Sequence, residues 1–325
     1  MCENVSTDIT VSDSYRSIYM TAVGPAVSRA RPEHGRATVI VAVGTTVCLW
    51  ASAFVAIRFA DRELSPGALA LGRLLVGSAA LGALVLARRA PLPERRQLAG
   101  TVVCGVLWFG VYNVALNAAE QRVDAGTAAM LVNIGPILIA ILAGRVLREG
   151  YPPRLLAGCL VSLAGAVVIG LATSRHGLNE SLGAILCVAA AAAYAGGVVA
   201  QKPVLRHASP VSVTWLACTI GAISCLPYAG SLVHGLDHAG ASTIGSMIYL
   251  GLAPTAAGFV LWAYALARTT AGRMGSTTYL VPPLAVLFGW TFLGEVPPLL
   301  VLPGGALCLT GVAIARTKSR RASRR

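Results

Sequence analysis

The sequence predicts an all-α integral membrane protein of ten transmembrane helices, arranged as two inverted five-helix repeats. Three observations lead there: a composition too apolar for water, ten successive apolar runs of bilayer length, and a proline-to-glutamate stretch that is written twice. The chain of 325 residues is 56% hydrophobic and only 12% charged, with a mean hydropathy of +0.71; a soluble domain carries about a quarter charged residues. The net charge of +13 does not point to nucleic acid, because the basic residues sit between apolar runs and at the C-terminus instead of along a polar face with interleaved aromatics.

Residues 1–36 are polar, hold no apolar run long enough for a signal peptide, and read as a disordered tail. Met20 opens the segment MTAVGPAVSRARPEHGR and is an alternative point for translation to begin. Ten apolar runs come after it, each near the ~20 residues that cross a bilayer: 38–58, 66–87, 98–118, 125–144, 155–173, 183–201, 209–230, 243–265, 272–293 and 299–316. Backbone groups cannot stay unpaired in lipid, so runs of this length should be helices. A basic tail, 317–325, closes the chain.

The duplicated stretch is GPILIAILAGRVLRE (135–149) and VPPLAVLFGWTFLGE (281–295), with equal spacing from Pro136 to Glu149 and from Pro282 to Glu295. Gly158 and Gly165 follow Glu149 as Gly304 and Gly311 follow Glu295. At an offset of 144, Ser65-Pro66 recurs as Ser209-Pro210, Trp50 corresponds to Tyr194 and Arg58 to Lys202; at 146, Ala125-Gly126 recurs as Ala271-Gly272. The repeats therefore run over 37–174 and 180–316. Five spans is an odd number, so the second repeat must enter the membrane inverted with respect to the first, as in transporters that alternate access to a central site.

Orientation follows from the basic residues. Of the 26 Lys and Arg residues, 21 fall in the tails and in alternate connections on one side, and four (Arg58, Arg62, Arg122, Arg175) on the other. Both termini should then be cytoplasmic in a cell (inner or plasma) membrane.

Leu-Trp-Ala-Ser-Ala-Phe (49–54), Ser65-Pro66 followed by Arg73, Ala125-Gly126 before an apolar span, the Pro136 run closing on Glu149, and a glycine-bearing fifth span together resemble the EamA family of the drug/metabolite transporter superfamily. The resemblance covers 38–316, twice over. It implies a ten-helix bundle of two EamA repeats that moves small metabolites, often amino acids or drugs, usually outward, with no enzyme activity. Arg148 departs from the pattern, since glycine more often precedes the glutamate, as Gly294 precedes Glu295.

A substrate site in such a fold should lie near the midplane where the repeats meet. Candidate substrate-binding residues are Trp50, Arg73, Asn113, Asn117, Asn133, Tyr194, Trp262 and Tyr279, with Pro136, Glu149, Pro282 and Glu295 as conformational or structural positions. Trp50 with Tyr194, and Asn133 with Tyr279, are repeat-related pairs deep in their spans. Asn133 and Tyr279 each stand three residues before a proline, where a kinked helix frees a carbonyl. The bland reading is that they bond to neighbouring helices. Asn113 and Asn117 share a face at i, i+4, facing Trp262 and Tyr264. Trp108, Tyr151 and Trp290 are expected as interfacial anchors.

Arg73, seven residues beyond Pro66 and so about 10 Å into its span, is the only charge well inside a span. It either binds a substrate carboxylate or snorkels outward to Glu63 or Glu120. All 13 Asp and Glu residues lie in tails, loops or span ends, which leaves no mid-membrane carboxylate to exchange protons against cations. A neutral or zwitterionic solute, amino-acid-like or other, is therefore expected, with a proton-coupled exporter of cationic drugs as the alternative. The eight cysteines show no ligand spacing and read as small buried hydrophobes; His234 and His238 fall in a polar connection that reads as a solvated loop. No cofactor or metal is implied. The expected partners are a small-molecule substrate and the lipid bilayer, without nucleic acid, for a monomer or homodimer.

Overall fold

A computed structural model gives the fold, and its description covers residues 34–122, 131–173, 181–294, 296 and 298–317. Glu295, Ala125-Gly126, Pro297, Arg175, Met20 and both tails lie outside the described residues. The chain divides into Met1–Thr38, of which only the start of the first helix is described, and Val39–Arg325, which holds the rest of the helical bundle.

Every regular element among the described residues is helical. In chain order these are α1 (His34–Ala60), α2 (Pro66–Ala87), α3 (Arg95–Glu120), α4 (Gly135–Val146), α5 (Pro153–Thr173), α6 (Ser181–Val204), α7 (Pro210–Ser224), α8 (Ala229–His238), α9 (Ala241–Arg268), α10 (Ala271–Ser276), α11 (Val281–Leu293) and α12 (Val301–Arg316). Among the described residues five are long and apolar enough to cross a bilayer: Ala37–Ala60, Pro66–Ala87, Arg95–Glu120, Leu182–Val204 and Ala241–Arg268. Pro210–Ser224 and Leu226–His238 make a sixth if the 54° bend between them lies inside one span, and Gly135–Val146, Pro153–Ile169 and Val301–Ala315 are shorter apolar helices. Each of the ten apolar runs thus holds helix in its described part, but not each as one full-length helix.

Local chemistry sets the ends. The Ser65 hydroxyl accepts the Ala68 N–H (3.4 Å) at the start of α2, where Pro66 has no N–H to lose. The Gln97 side chain reaches back to the Glu94 amide (2.9 Å) and secures the start of α3. Pro227 sits in a 3-10 turn between α7 and α8 and accounts for the bend. Helix continues from there through His238, so His234 and His238 lie on α8 and not on a loop, with His238 Nδ1 3.0 Å from the His234 carbonyl oxygen.

Pro136 and Pro282 do not kink continuous helices. Each occupies the first turn of a new one, α4 and α11, after a break: a turn at Asn133 and Ile134, and a 3-10 segment Thr277–Leu280. Repeat-related Arg148 (φ 55°) and Gly294 (φ 69°) both take left-handed backbone after these helices. The conformation is free for glycine and costs an arginine about 1–2 kcal/mol.

The two repeats meet as a symmetric pair. A Cβ placed on Gly158 would lie 2.5 Å from the Gly311 oxygen, and one on Gly165 would lie 2.5 Å from the Gly304 oxygen. Position rises along α5 as it falls along α12, so the helices are antiparallel, and only hydrogen side chains allow the approach. Between the glycines, the Ser162 hydroxyl donates to the Cys308 carbonyl (3.1 Å) while the Cys308 thiol donates to the Ser162 carbonyl (3.5 Å). Ser162 and Cys308 are themselves related at offset 146, so the pseudo-two-fold axis passes between them. The same relation governs the other seam. A π-helical turn interrupts α3 at Gly105–Val111 and α9 at Gly251–Ala257, again 146 apart. A Cβ on Gly221 would come 3.2 Å from the Gly105 oxygen, and one on its counterpart Gly77 3.1 Å from the Gly251 oxygen.

Candidate functional site

A cavity lies where the repeats meet, with about 110 Å³ open to the centres of water molecules. One water needs about 10–15 Å³, so there is room for a small solute. Four repeat-related pairs line it: Trp50 with Tyr194, Asn113 with Phe259, Val132 with Thr278, and Pro136 with Pro282. The remaining wall comes mostly from the first repeat. Phe54 and Ile57 lie beyond Trp50 toward the end of α1, Leu116 lies beyond Asn113 toward the end of α3, and Arg73 is about two turns into α2. The cavity therefore extends from the pseudo-two-fold axis toward the end of the bundle that carries Asp61, Ser65 and Glu120.

Its walls are aromatic. Trp108 stands at the centre of a cluster, with ring centroids 4.8 Å from Phe259, 5.2 Å from Tyr194, 5.4 Å from Trp262 and 6.0 Å from Trp50. The π-turns place these rings and supply their polar partners, because a widened turn leaves carbonyls outside the i→i−4 ladder. The Trp50 indole N–H donates to the Pro254 carbonyl of α9 (3.2 Å), and the Asn113 amide donates to the Phe109 carbonyl (2.8 Å) and the Trp108 carbonyl (3.3 Å). The Tyr194 hydroxyl has no partner among the described residues; Thr278, which approaches it, gives its own proton to the Gly275 carbonyl (2.8 Å).

Arg73 is the only charged side chain among the described lining residues and is 6% exposed. Its Nε–H donates to the Thr255 hydroxyl (3.1 Å), which fixes the guanidinium on the wall. Among the described residues no carboxylate comes within ion-pair distance of it, and Glu120 acts on it only through space. Glu63 is engaged elsewhere: its carboxylate accepts the Gly240 N–H (2.8 Å), and the Thr243 hydroxyl and that amide hold its carboxyl below the usual range. Arg73 has not snorkelled out to it. In the same end loop, burial pushes the Asp61 carboxyl up to about 6, and its Oδ1 has no hydrogen-bond partner among the described residues.

The opposite end is shut. Glu149 accepts the N–H groups of Ala271 (2.9 Å) and Gly272 (3.3 Å) at the start of α10. The Lys202 ammonium donates to the carbonyls of Leu266 and Thr269 at the end of α9. Carboxylate on helix start and ammonium on helix end both follow the helix dipole.

Of the eight candidates, Trp50, Arg73, Asn113, Asn133 and Tyr194 line the cavity, as do Pro136 and Pro282. Three do not. Asn117 donates to the Pro66 carbonyl (3.0 Å) and ties α3 to α2, so the two asparagines part company. Trp262 is buried behind the cavity wall, 4.9 Å from Trp50, and Tyr279 is buried in a second core between α5 and α12. Tyr264 lies at the shut end under the Arg268 guanidinium (3.6 Å). The expectation for Trp108 is overturned: it is 1% exposed, because the π-turn directs it inward, whereas Tyr151 and Trp290 are half exposed. Tyr112, Phe54 and Phe259 also belong to the wall; the first-repeat members lie within or beside stretches already notable in the sequence, but Phe259 carries no sequence signal beyond pairing with Asn113.

A family profile described as the EamA-like transporter family matches residues 37–171 and again 181–317. A probable terminal-alkyne amino-acid exporter of Streptantibioticus cattleyicolor is 38% identical over 280 residues, which are 85% of this chain and 93% of that protein. A probable amino-acid metabolite efflux pump of Salmonella typhimurium is 26% identical over 281 residues, 82% of this chain and 91% of that one. A solved crystal structure superposes with a TM-score of 0.71 at 22% identity, covering 88% of this chain and 99% of its own, a likeness of fold.

Proposed function

Because this chain belongs to the EamA-like transporter family, we propose that it exports a small zwitterionic, amino-acid-like metabolite across the cell membrane by alternating access. The observation that carries the substrate class is Arg73: a fixed cation with no acidic partner among the described residues, on the wall of an aromatic cavity where the repeats meet. A guanidinium held there is suited to a carboxylate. The faces of Trp50, Trp108 and Tyr194 are suited to an ammonium group and an apolar side chain. Relatives whose names specify amino-acid export agree with this choice. The cationic-drug reading is disfavoured, since a guanidinium in the cavity repels a cation and no lining carboxylate is described. The distribution of basic residues supports cytoplasmic termini, with the Glu149 end of the bundle inside and the Glu120 end outside.

The test is transport by the purified protein in proteoliposomes, comparing L-leucine and L-propargylglycine with the matching amines that lack a carboxylate. The amino acids should be carried and the amines should not. Arg73→Gln should raise KM for the amino acids about 10- to 100-fold, the loss of one charge-assisted hydrogen bond, with insertion unchanged. Unaltered kinetics in that variant, or amines carried as well as amino acids, would sink the assignment.

A further inference from the structure

Five polar side chains of the second repeat bury a nitrogen or oxygen without a hydrogen-bond partner among the described residues: Tyr194, Gln201, Ser212, Trp262 and Tyr279. Buried groups of this kind are rare and each calls for a reason. Tyr194 lines the cavity. For three others the repeat supplies a reason, because Gln201 is the counterpart of Ile57 at offset 144, and Trp262 and Tyr279 are the counterparts of Leu116 and Asn133 at 146. All three counterparts line the cavity. Ser212, whose counterpart is Ala68, has no such relation.

The cavity is thus one-sided in a molecule that is nearly symmetric. First-repeat residues between the axis and the Glu120 end face open space, while their second-repeat counterparts, toward the Glu149 end, are packed shut. Gln201 is the extreme case. It is 0% exposed, both its Oε1 and its Nε2 lack partners, and the next residue, Lys202, fastens that end closed. A buried amide with neither hydrogen bond made is costly in this state, and exchanging the conformations of the two repeats would bring it to the position that Ile57 holds now.

We infer that a second cavity opens at the Glu149 end when the repeats exchange conformations, and that Gln201, with Trp262 and Tyr279, contacts the substrate there. The inference rests on the alternating-access reading and names the ligand groups of its other state. The counterpart of Arg73 is Ala217, so this cavity has no fixed cation of that kind. The Gln201 amide N–H and the Trp262 indole N–H are neutral donors for the substrate carboxylate, and the Gln201 oxygen accepts from its ammonium group. Substrate is held by a charge on one side of the membrane and by neutral donors on the other.

Cysteines at the two related positions test the opening without any substrate. Gln201→Cys and Ile57→Cys are treated, in vesicles of each orientation, with a membrane-impermeant maleimide and compared with the parent chain. Gln201→Cys should react only from the Glu149 side and Ile57→Cys only from the Glu120 side. A Gln201→Cys that reacts from neither side, from both, or from the Glu120 side overturns the second cavity. Because the labelling needs no ligand, it stands even if amino acids prove to be the wrong substrate class. The contact itself is read with Gln201→Leu, which removes an unpaired buried amide and should fold at least as well as the parent. KM for L-leucine presented at the Glu149 side should rise about fivefold, the worth of a hydrogen bond, with less than about a twofold change from the other side. Equal changes on both sides, or none on either, overturn the contact.

Discussion

Substitution of Glu149 should loosen the shut end by a calculable amount. Its carboxylate accepts two backbone N–H groups, from Ala271 at 2.9 Å and Gly272 at 3.3 Å, and hydrogen bonds to a charged acceptor contribute about 1.5–3 kcal/mol each. The longer bond belongs at the bottom of that range or below it, so the pair stabilises the closed arrangement by about 3 kcal/mol. Glu149→Gln keeps one neutral acceptor worth about 1 kcal/mol, which leaves a loss of about 2 kcal/mol, or roughly thirtyfold in the ratio of shut to open. Glu149→Ala loses the whole, roughly 150-fold. Hydrogen exchange in detergent reads the change directly: amides of the peptide spanning residues 269–275 should exchange about thirtyfold faster in Glu149→Gln, while those of the α5–α12 seam stay protected. Acceleration of less than about twofold, or equal acceleration across the whole bundle, would refute a local latch.

Asp61 predicts a pH effect. Its carboxyl is raised by burial to about 6 from an ordinary value of 3.8, so the folded chain binds this proton more tightly than the unfolded one. Its contribution to stability is therefore greatest below pH 4 and falls as pH rises through 6. Asp61→Asn should raise the melting temperature at pH 7.5 and not at pH 4, and equal shifts at both would contradict the buried carboxyl. Gly311→Ala places a methyl group 2.5 Å from the Gly158 carbonyl oxygen; the seam must separate, at a cost of about 1–3 kcal/mol, read as a lower melting temperature and faster exchange in α5 and α12.

The architecture is legible in the letters because a duplication writes its own symmetry. Equal Pro-to-Glu spacings pair Pro136 with Pro282 at an offset of 146, the recurring Ser-Pro pairs Trp50 with Tyr194 at 144, and those pairs meet at the cavity. The features that resisted reading depend on register or on conformational state. Asn113 and Asn117 both follow the π-turn at Gly105–Val111 and keep their i, i+4 spacing, but one bonds back to a carbonyl of that turn and the other across to Pro66. The π-turn itself adds to the residues per turn, and Trp108 within it faces inward. Nothing in a periodicity of 3.6 announces it. Pairing by offset likewise favours Asn133 and Tyr279 equally, yet one lines the cavity and the other is buried, because a transporter open at one end is not symmetric. The prolines misled for a related reason: in a long apolar run, a helix that starts afresh and a helix that kinks look alike.

The seam of α5 and α12 has a thermodynamic consequence. Ser162 and Cys308 exchange hydrogen bonds across the pseudo-two-fold axis, flanked by glycines that meet in reciprocal pairs. If the two halves trade places, this seam is carried onto itself. Its energy enters both conformers alike and cancels from the equilibrium constant between them, however tightly it packs. Which conformer predominates is then set by positions whose mates differ in chemistry: Arg73 against Ala217, Ile57 against Gln201, Leu116 against Trp262. Sequence drift at such unmatched positions tunes the resting bias of the carrier, while drift at the seam changes only whether it holds together.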